Sequence, residues 1–321
     1  MIKTSPTIFT TALLLTPAFI FGQPSFSEQW LLMQKNYKKM TATLPQQNNY
    51  YHSSWKERQK QIKTLILNAP NENFLHLPAI AGAMVRNGYT LFQKYEDTFI
   101  LNCVSPTTRK LISSYRDTPF GLLPFECKEF NCSTSTLSHL FYAAKIIDNP
   151  NKPEINTILD FGGGYGNQTL IFKKLLPKTT LFIVDSPELI ALQYLFLSST
   201  LPDTKIYVHT EETDIFENGA IHLIPISLLE KLNLKIDLFI STFALSETPL
   251  LVQNLVINKN FFNASMCYMT GQLHGWSDFY FEGHETLLNS VRSLYSSTFC
   301  QPFHHMLVSS LSSYEIVGIR K

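Results

Sequence analysis

One segment constrains this chain more than any other: an apolar run that ends in an acid and then breaks into glycines, Thr157-Ile-Leu-Asp-Phe-Gly-Gly-Gly-Tyr-Gly-Asn167. Asp160 is followed by glycines at 162, 164 and 166, with a fourth at 163. A glycine turn between a strand and a helix lets backbone approach a ligand closely and aims the N–H groups of the helix start at it. Doubly wound sheets bind ligands at such a place, beyond the carboxyl end of a strand. The dinucleotide fingerprint requires a third glycine three residues after the second. Counted from Gly162 and Gly164, that position belongs to Asn167, so the nicotinamide or flavin pattern is incomplete. A second apolar run, Thr180-Leu-Phe-Ile-Val-Asp185, ends in a carboxylate 25 residues after Asp160. A doubly wound fold keeps there the acid that accepts hydrogen bonds from ribose hydroxyls.

Strand and helix patterns alternate after the breaking segment Asn149-Pro-Asn-Lys-Pro153, which predicts a mostly parallel sheet covered on both faces. Strands are expected at Thr157–Phe161, Leu181–Asp185, Lys205–His209, Ile236–Thr242 and Asn263–Thr270, with helices over Asn167–Leu176, Pro187–Leu197 and Ile226–Leu232. Two late apolar runs, Phe303–Val308 and Tyr314–Ile319, read as a closing hairpin. Upstream, Ser27–Met40 and Ser53–Leu67 mix apolar and charged residues at helical spacing. Cys132–Ile147 opens with hydroxyl residues able to cap a helix and carries an apolar stripe through Leu137, Leu140, Phe141, Ala144 and Ile147. The organisation predicted is a helical N-terminal region over 23–131, serving as cap or substrate region, and an α/β domain over 132–321.

The first 22 residues stand apart. A lysine near the start, the apolar stretch Ile8–Phe21 and then Gly22-Gln-Pro have the shape of a secretory signal, with an apolar helix packed on the body as the alternative. The stretch is too short for a stable membrane span. With 26 basic and 25 acidic side chains and a formal charge of +1, the chain has no field to attract nucleic acid. A neutral or small substrate is expected instead. The five cysteines (103, 127, 132, 267 and 300) lack metal-ligand spacing and read as buried thiols.

Three segments together, Ile158–Gly166, Phe182–Glu188 with Ala191–Tyr194, and Leu238–Pro249, resemble the putative sugar O-methyltransferases, a family dependent on S-adenosylmethionine (SAM). The Cys132–Tyr142 segment is similar to that group as well. The resemblance implies a doubly wound, seven-stranded sheet of the SAM-methyltransferase type, closed by a hairpin. It implies SAM as cofactor and transfer of a methyl group to a hydroxyl of a sugar or glycan. By the same resemblance, Gly162, Gly163, Gly164 and Gly166 hold the methionine part of SAM, Asp160 orients their loop, Asp185 takes the ribose hydroxyls, and Tyr165 and Ser186 flank the cofactor. Adenine contacts stay open between Glu211, Glu212 and Ile224-Pro225. SAM is made in the cytosol, so a signal-bearing enzyme would work only after delivery into another SAM-containing compartment.

A sugar hydroxyl is a poor acid and needs a base. The candidates beyond the fourth and fifth strands are Glu247, in Phe243-Ala-Leu-Ser-Glu-Thr, and His274, in Gly271-Gln-Leu-His-Gly-Trp276. His284 and Glu285 have no ligand set of metal spacing around them, so no metal is expected; His304 and His305 read as structural. Trp276 with Phe279, Tyr280 and Phe281 is a candidate sugar-stacking wall. Two other readings compete. One is an exported or non-catalytic binding protein that keeps the fold, and the other is a nucleotide-dependent oxidoreductase.

Overall fold

The computed structural model describes residues 24–45, 48–85, 102, 104–121, 132–272, 283–300 and 313–321. The signal-like segment, His274, the Trp276–Phe281 cluster, His304, His305 and the run Phe303–Val308 lie outside them. Among the described residues an eight-stranded sheet orders its strands β3-β4-β2-β1-β5-β6-β8-β7. These are β1 Thr157–Phe161, β2 Thr180–Asp185, β3 Ile206–Val208, β4 Ile221–Pro225, β5 Leu238–Thr242, β6 Met266–Gln272, β7 Tyr295–Cys300 and β8 Ser313–Arg320. Strands β1 to β6 pair in parallel, and β8 runs antiparallel to both β6 and β7.

This is the α/β architecture of the SAM-methyltransferase sheet, with one strand beyond the seven expected. The expected third strand is real but short and lies at the edge as β3. The position beside β2 belongs to β4, which the sequence pattern conceals because His222 interrupts its five residues and Pro225 ends them. His222 is nonetheless buried, stacked between Phe182 and Tyr207 at ring separations of 5.2 and 5.4 Å, so an imidazole fills an aromatic place. The antiparallel partner of β8 is β7, a segment not expected as a strand. The helix expected over Ile226–Leu232 is a single 3₁₀ turn at Ile226–Leu228.

Period-two alternation along the strands divides the interior into two cores. Ile158, Leu181, Ile183, Leu238, Ile240 and Tyr268 face one, while Leu159, Phe182, Val184, Phe239 and Met269 face the other. The first core is covered by α1 Phe26–Thr43, α2 Ser53–Leu67, α4 Thr134–Ile147, α5 Asn167–Leu175 and α6 Pro187–Thr200, with α3 Pro106–Ser114 beside α4. The second is covered by α7 Leu250–Asn258 and α8 His284–Leu294, neither expected from the sequence. Helix α1 starts in a full capping box between Ser25 and Glu28 and buries Trp30, Met33, Tyr37 and Met40. It lies on α6, where Tyr37 donates to Glu188 Oε1 at 2.9 Å and Gln29 pairs with Ser199. Buried Cys132 and Cys267 are thiols of the two cores. No helix among the described residues is long and apolar enough to cross a membrane.

Because α1 shares its core with α6, truncating fully buried Trp30 to alanine should destabilise the whole molecule by about 3–5 kcal/mol. Urea unfolding should show one transition displaced as a unit. A second, unshifted transition would mean that the N-terminal helices fold apart from the sheet.

Candidate functional site

A cavity of about 460 Å³ opens at the carboxyl ends of β1, β2, β5 and β6. Gly162, Gly163, Gly164, Tyr165, Asp185, Ser186 and Glu247 all line it, so the structure brings three separated sequence motifs to one place. The glycine turn is held by Gly162 N–H donating to Val184 O at 2.8 Å and Gly166 N–H donating to Gly163 O at 2.9 Å. Gly162 and Gly164 have φ of +77° and +59°, a region that favours glycine. A Cβ at Gly162 would stand 2.0 Å from the Cβ of Ala244, whereas one at Gly164 meets nothing closer than Met84 Sδ at 3.6 Å. The first glycine therefore serves packing and the second leaves room. Gly166 caps α5 with φ +100°, outside the cavity lining. Tyr165 is buried with its ring edge-on to Phe196 at 5.0 Å, so its place in the wall owes more to backbone than to ring.

Asp160, the penultimate residue of β1, is almost wholly buried; its Oδ2 accepts from the Thr169 hydroxyl at 3.3 Å and its Oδ1 has no hydrogen-bond partner. Burial pushes its carboxyl up to about 7. Asp185 ends β2, accepting from Ser186 N–H at 2.8 Å and from Gln193 Nε2 at 2.9 Å, and Gln193 also donates to Gly164 O at 2.9 Å. Burial, with the Asp160 charge adding to it, raises the Asp185 carboxyl to about 8. The second side chain that reads the strand end is Ser186, whose hydroxyl caps α6 by accepting from Leu189 N–H. Val184, Leu189 and Ile226 supply an apolar slot beside it. Ile226 belongs to that slot, whereas Glu211, Glu212 and Ile224 line a different cavity of about 270 Å³ and Pro225 lines neither.

Glu247 follows β5 in a 3₁₀ turn, beyond Phe243, which takes a strained φ of +67°. Its Oε2 accepts from the Trp55 indole N–H at 3.0 Å and its Oε1 faces Gln272 Nε2 at 3.5 Å. Burial raises it to about 7, against the Trp55 hydrogen bond and the Arg58 charge. His284 starts α8 away from this cavity. Among the described residues no group of three His, Cys, Asp or Glu side chains is arranged to hold a metal ion.

Sequence reasoning missed the opposite wall. Tyr50, Tyr51, His52, Trp55 and Gln59 approach from the start of α2, and Ser135, Ser138, His139 and Tyr142 from α4. The available signal was in α4, where Thr134, Ser135, Thr136 and Ser138 put hydroxyls into a buried helix face. No lysine or arginine lines the cavity among the described residues.

No protein-family model matches the chain, and no curated protein sequence matches it. Solved structures of similar fold include magnesium protoporphyrin IX methyltransferase from Synechocystis PCC 6803 with bound S-adenosylhomocysteine. It is 10% identical, over 81% of this chain and 100% of that one, with a TM-score of 0.42. An N-methyltransferase of Bradyrhizobium japonicum WM9 in complex with S-adenosylhomocysteine is 12% identical, over 58% and 87%, with a TM-score of 0.38. Phosphoethanolamine N-methyltransferase 2 of Haemonchus contortus in complex with SAM is 9% identical, over 73% and 60%, with a TM-score of 0.41. At these scores the fold assignment rests on the strand order of this chain.

Three carboxyls with raised values give the ligand-free protein a definite pH response. Each keeps its proton in the folded state at a pH where the unfolded chain, with values near 4, has lost it. Their contribution to stability is complete below about pH 4 and disappears as pH rises through about 7 for Asp160 and Glu247 and about 8 for Asp185. The thermal midpoint should therefore fall between about pH 5 and pH 8, and Asp185→Asn should flatten the upper part of that fall. A midpoint that rises over the same range would contradict the burial of these groups.

Proposed function

We propose that this cavity binds SAM and that the protein is a SAM-dependent O-methyltransferase acting on a hydroxyl of a sugar or glycan. The observation that carries the reading is the juxtaposition of Asp185, the Gly162–Gly164 cradle and Glu247 in one cavity lined by carboxyls and, among the described residues, by no lysine or arginine. SAM is a cation that presents vicinal ribose hydroxyls. Those hydroxyls are donors for Asp185, and its sulfonium supplies a methyl group already electrophilic. Ile226, Leu189 and Val184 suit an adenine face. Asp160 stands behind the turn with its Oδ2 close to Gly163, which suits orienting the loop rather than touching the ligand. A nicotinamide-dependent reading is weaker because Asn167 stands where the third glycine of its fingerprint belongs.

The chain's chemical task is to align the acceptor hydroxyl and remove its proton. Glu247 supports the second role: a carboxyl near 7 is half ionised at neutral pH, close to the value at which a general base is most effective. Trp55 donates to one oxygen, which leaves the carboxylate oriented by a neutral partner. For the acceptor class, Tyr50, Tyr51, Trp55 and Tyr142 offer ring faces, and Gln59, Gln272 and His52 offer hydrogen-bonding groups. Rings interleaved with amides suit a polyhydroxylated ring that stacks on one face and hydrogen-bonds at its rim.

Calorimetric titration tests the cofactor: SAM and S-adenosylhomocysteine should bind and NAD should not. Gly164→Leu should abolish SAM binding, since its side chain would occupy the space toward Met84. Unchanged affinity would remove the site assignment. SAM affinity should also rise with pH through about 8, because a ribose diol donates to the ionised form of Asp185, and Asp185→Asn should erase that dependence.

Acceptors are then screened with labelled SAM among free sugars, nucleotide sugars and glycan fragments. With an acceptor in hand, Glu247→Gln should lower turnover by about 10²–10⁴-fold and leave SAM affinity within a few-fold. The wild-type rate should show an acid limb near pH 7 that this variant lacks. Full activity in Glu247→Gln would disqualify it as the base. Binding of SAM with no methylation of any acceptor would favour the non-catalytic reading.

A further inference from the structure

Helix α2 turns one face to two surroundings. Trp55, Gln59, Ile62 and Ile66 follow one another at steps of four, three and four residues, which sets them on a single stripe. Ile62 and Ile66 are buried in the first core and fix the helix there, while Trp55 and Gln59, nearer its start, line the cavity. The start itself is capped by the His52 side chain, which accepts from Ser54 N–H. From this anchored turn the Trp55 indole N–H donates to Glu247 Oε2 at 3.0 Å, across 192 positions of chain.

Arg58 follows three residues later, and its guanidinium lies 5.4 Å from the centre of the Trp55 ring. That separation is within cation–π range. The indole therefore carries a cation on its face and a carboxyl at its N–H. Both neighbours act on Glu247 in the same sense: the Trp55 hydrogen bond, and after it the Arg58 charge, favour the ionised carboxylate against burial, which favours the neutral acid. Arg58 does not itself line the cavity. Its charge works from behind the ring, where it meets no cationic ligand. Asp185, His52, His139 and four tyrosines share the cavity with Glu247, and the neutral Gln272 faces its other oxygen.

We propose that α2 completes the general base: Trp55 is a positioning residue that holds Glu247 through its indole N–H, and Arg58 acts on the same carboxyl from behind the Trp55 ring. The inference rests on the reading of Glu247 as the base of a methyl transfer and adds what sets its orientation and charge. The helical N-terminal region would then supply part of the chemistry as well as a wall. A cation screened by an indole suits this place, because it favours a charged base without opposing a bound sulfonium.

Carbon-13 NMR of the ligand-free full chain reads the carboxyl directly, with the Glu247 signal assigned by its loss in Glu247→Gln. The parent midpoint should lie at about 7. Trp55→Phe keeps an aromatic ring and removes the N–H. It should raise the midpoint by about one unit, the size of a lost hydrogen bond to a charged group. Arg58 is half-buried, so its variants test the charge with little disturbance of the core. Arg58→Gln should raise the midpoint by less than Trp55→Phe does, and Arg58→Lys should return it to the parent value.

With an acceptor in hand, the acid limb of kcat should move with the midpoint. A one-unit rise takes the ionised share at pH 7 from about one half to about one tenth, so Trp55→Phe should turn over about 5-fold more slowly there. Most of that loss should return at pH 9, and S-adenosylhomocysteine affinity should stay within a few-fold, which also certifies the fold. A ring that only packs would leave midpoint and limb where they were. An unmoved midpoint in Trp55→Phe overturns the proposal while leaving SAM binding intact, and an unmoved one in Arg58→Gln strikes Arg58 from it. Failure of the parent to bind S-adenosylhomocysteine overturns the functional reading and this one together, whatever the midpoint.

Discussion

The contact between Gly162 and Ala244 is the constraint from which the site takes its dimensions. Only a glycine lets the turn after β1 lie against the turn after β5, since a methyl group at 162 would overlap the Ala244 side chain. Ala244 opens the 3₁₀ turn that carries Glu247, so the same contact that seats the glycine cradle also fixes how far the carboxylate stands from it. Rigid strands, paired in register from Ile158 to Leu238 and from Asp160 to Ile240, hold both turns from below. The spacing between cradle and carboxylate is thus a property of backbone, not of side-chain rotamers.

Electrostatics supply the second theme. Asp160, Asp185 and Glu247 are gathered in poorly solvated surroundings and are held near neutrality by burial. Such a group of acids costs stability whenever it ionises without a partner. On the SAM reading a donor-rich cation would offset that cost at Asp185, which lines the cavity.

The first two strands and the acid that ends each were legible in the sequence because apolar runs, a glycine turn and a carboxylate leave a local signature. Strand β4 was hidden, since a buried histidine between aromatic rings looks polar on paper. Helices α7 and α8 were also missed. In α7 Val252 and Val256 are buried against the sheet, while Leu250 and Leu251 are exposed, so apolar residues around the helix blur its period. The wall built by Tyr50, Tyr51, His52 and Trp55 had no local signal at all. Those residues share a cavity with Glu247, which Trp55 reaches across 192 positions of chain, and no window of sequence contains both partners. Asn167 stood out in the sequence for the glycine it replaces, while its buried bond to Thr136 on α4 joins segments thirty-one positions apart and has no local signature.

Strand β8 has a consequence for assembly. It lies between β6 and β7, so among the described residues β7 is joined to the sheet through a strand that follows it in the chain. During synthesis β7 emerges before its native partner, and its backbone donors and acceptors wait for Ser313–Arg320 to arrive between it and β6. The cofactor end needs no such delay. Strands β1, β2 and β5, with the glycine turn and its Ala244 contact, are complete in sequence order well before that. A nascent chain can therefore hold a formed cradle while the far edge of its sheet is still open.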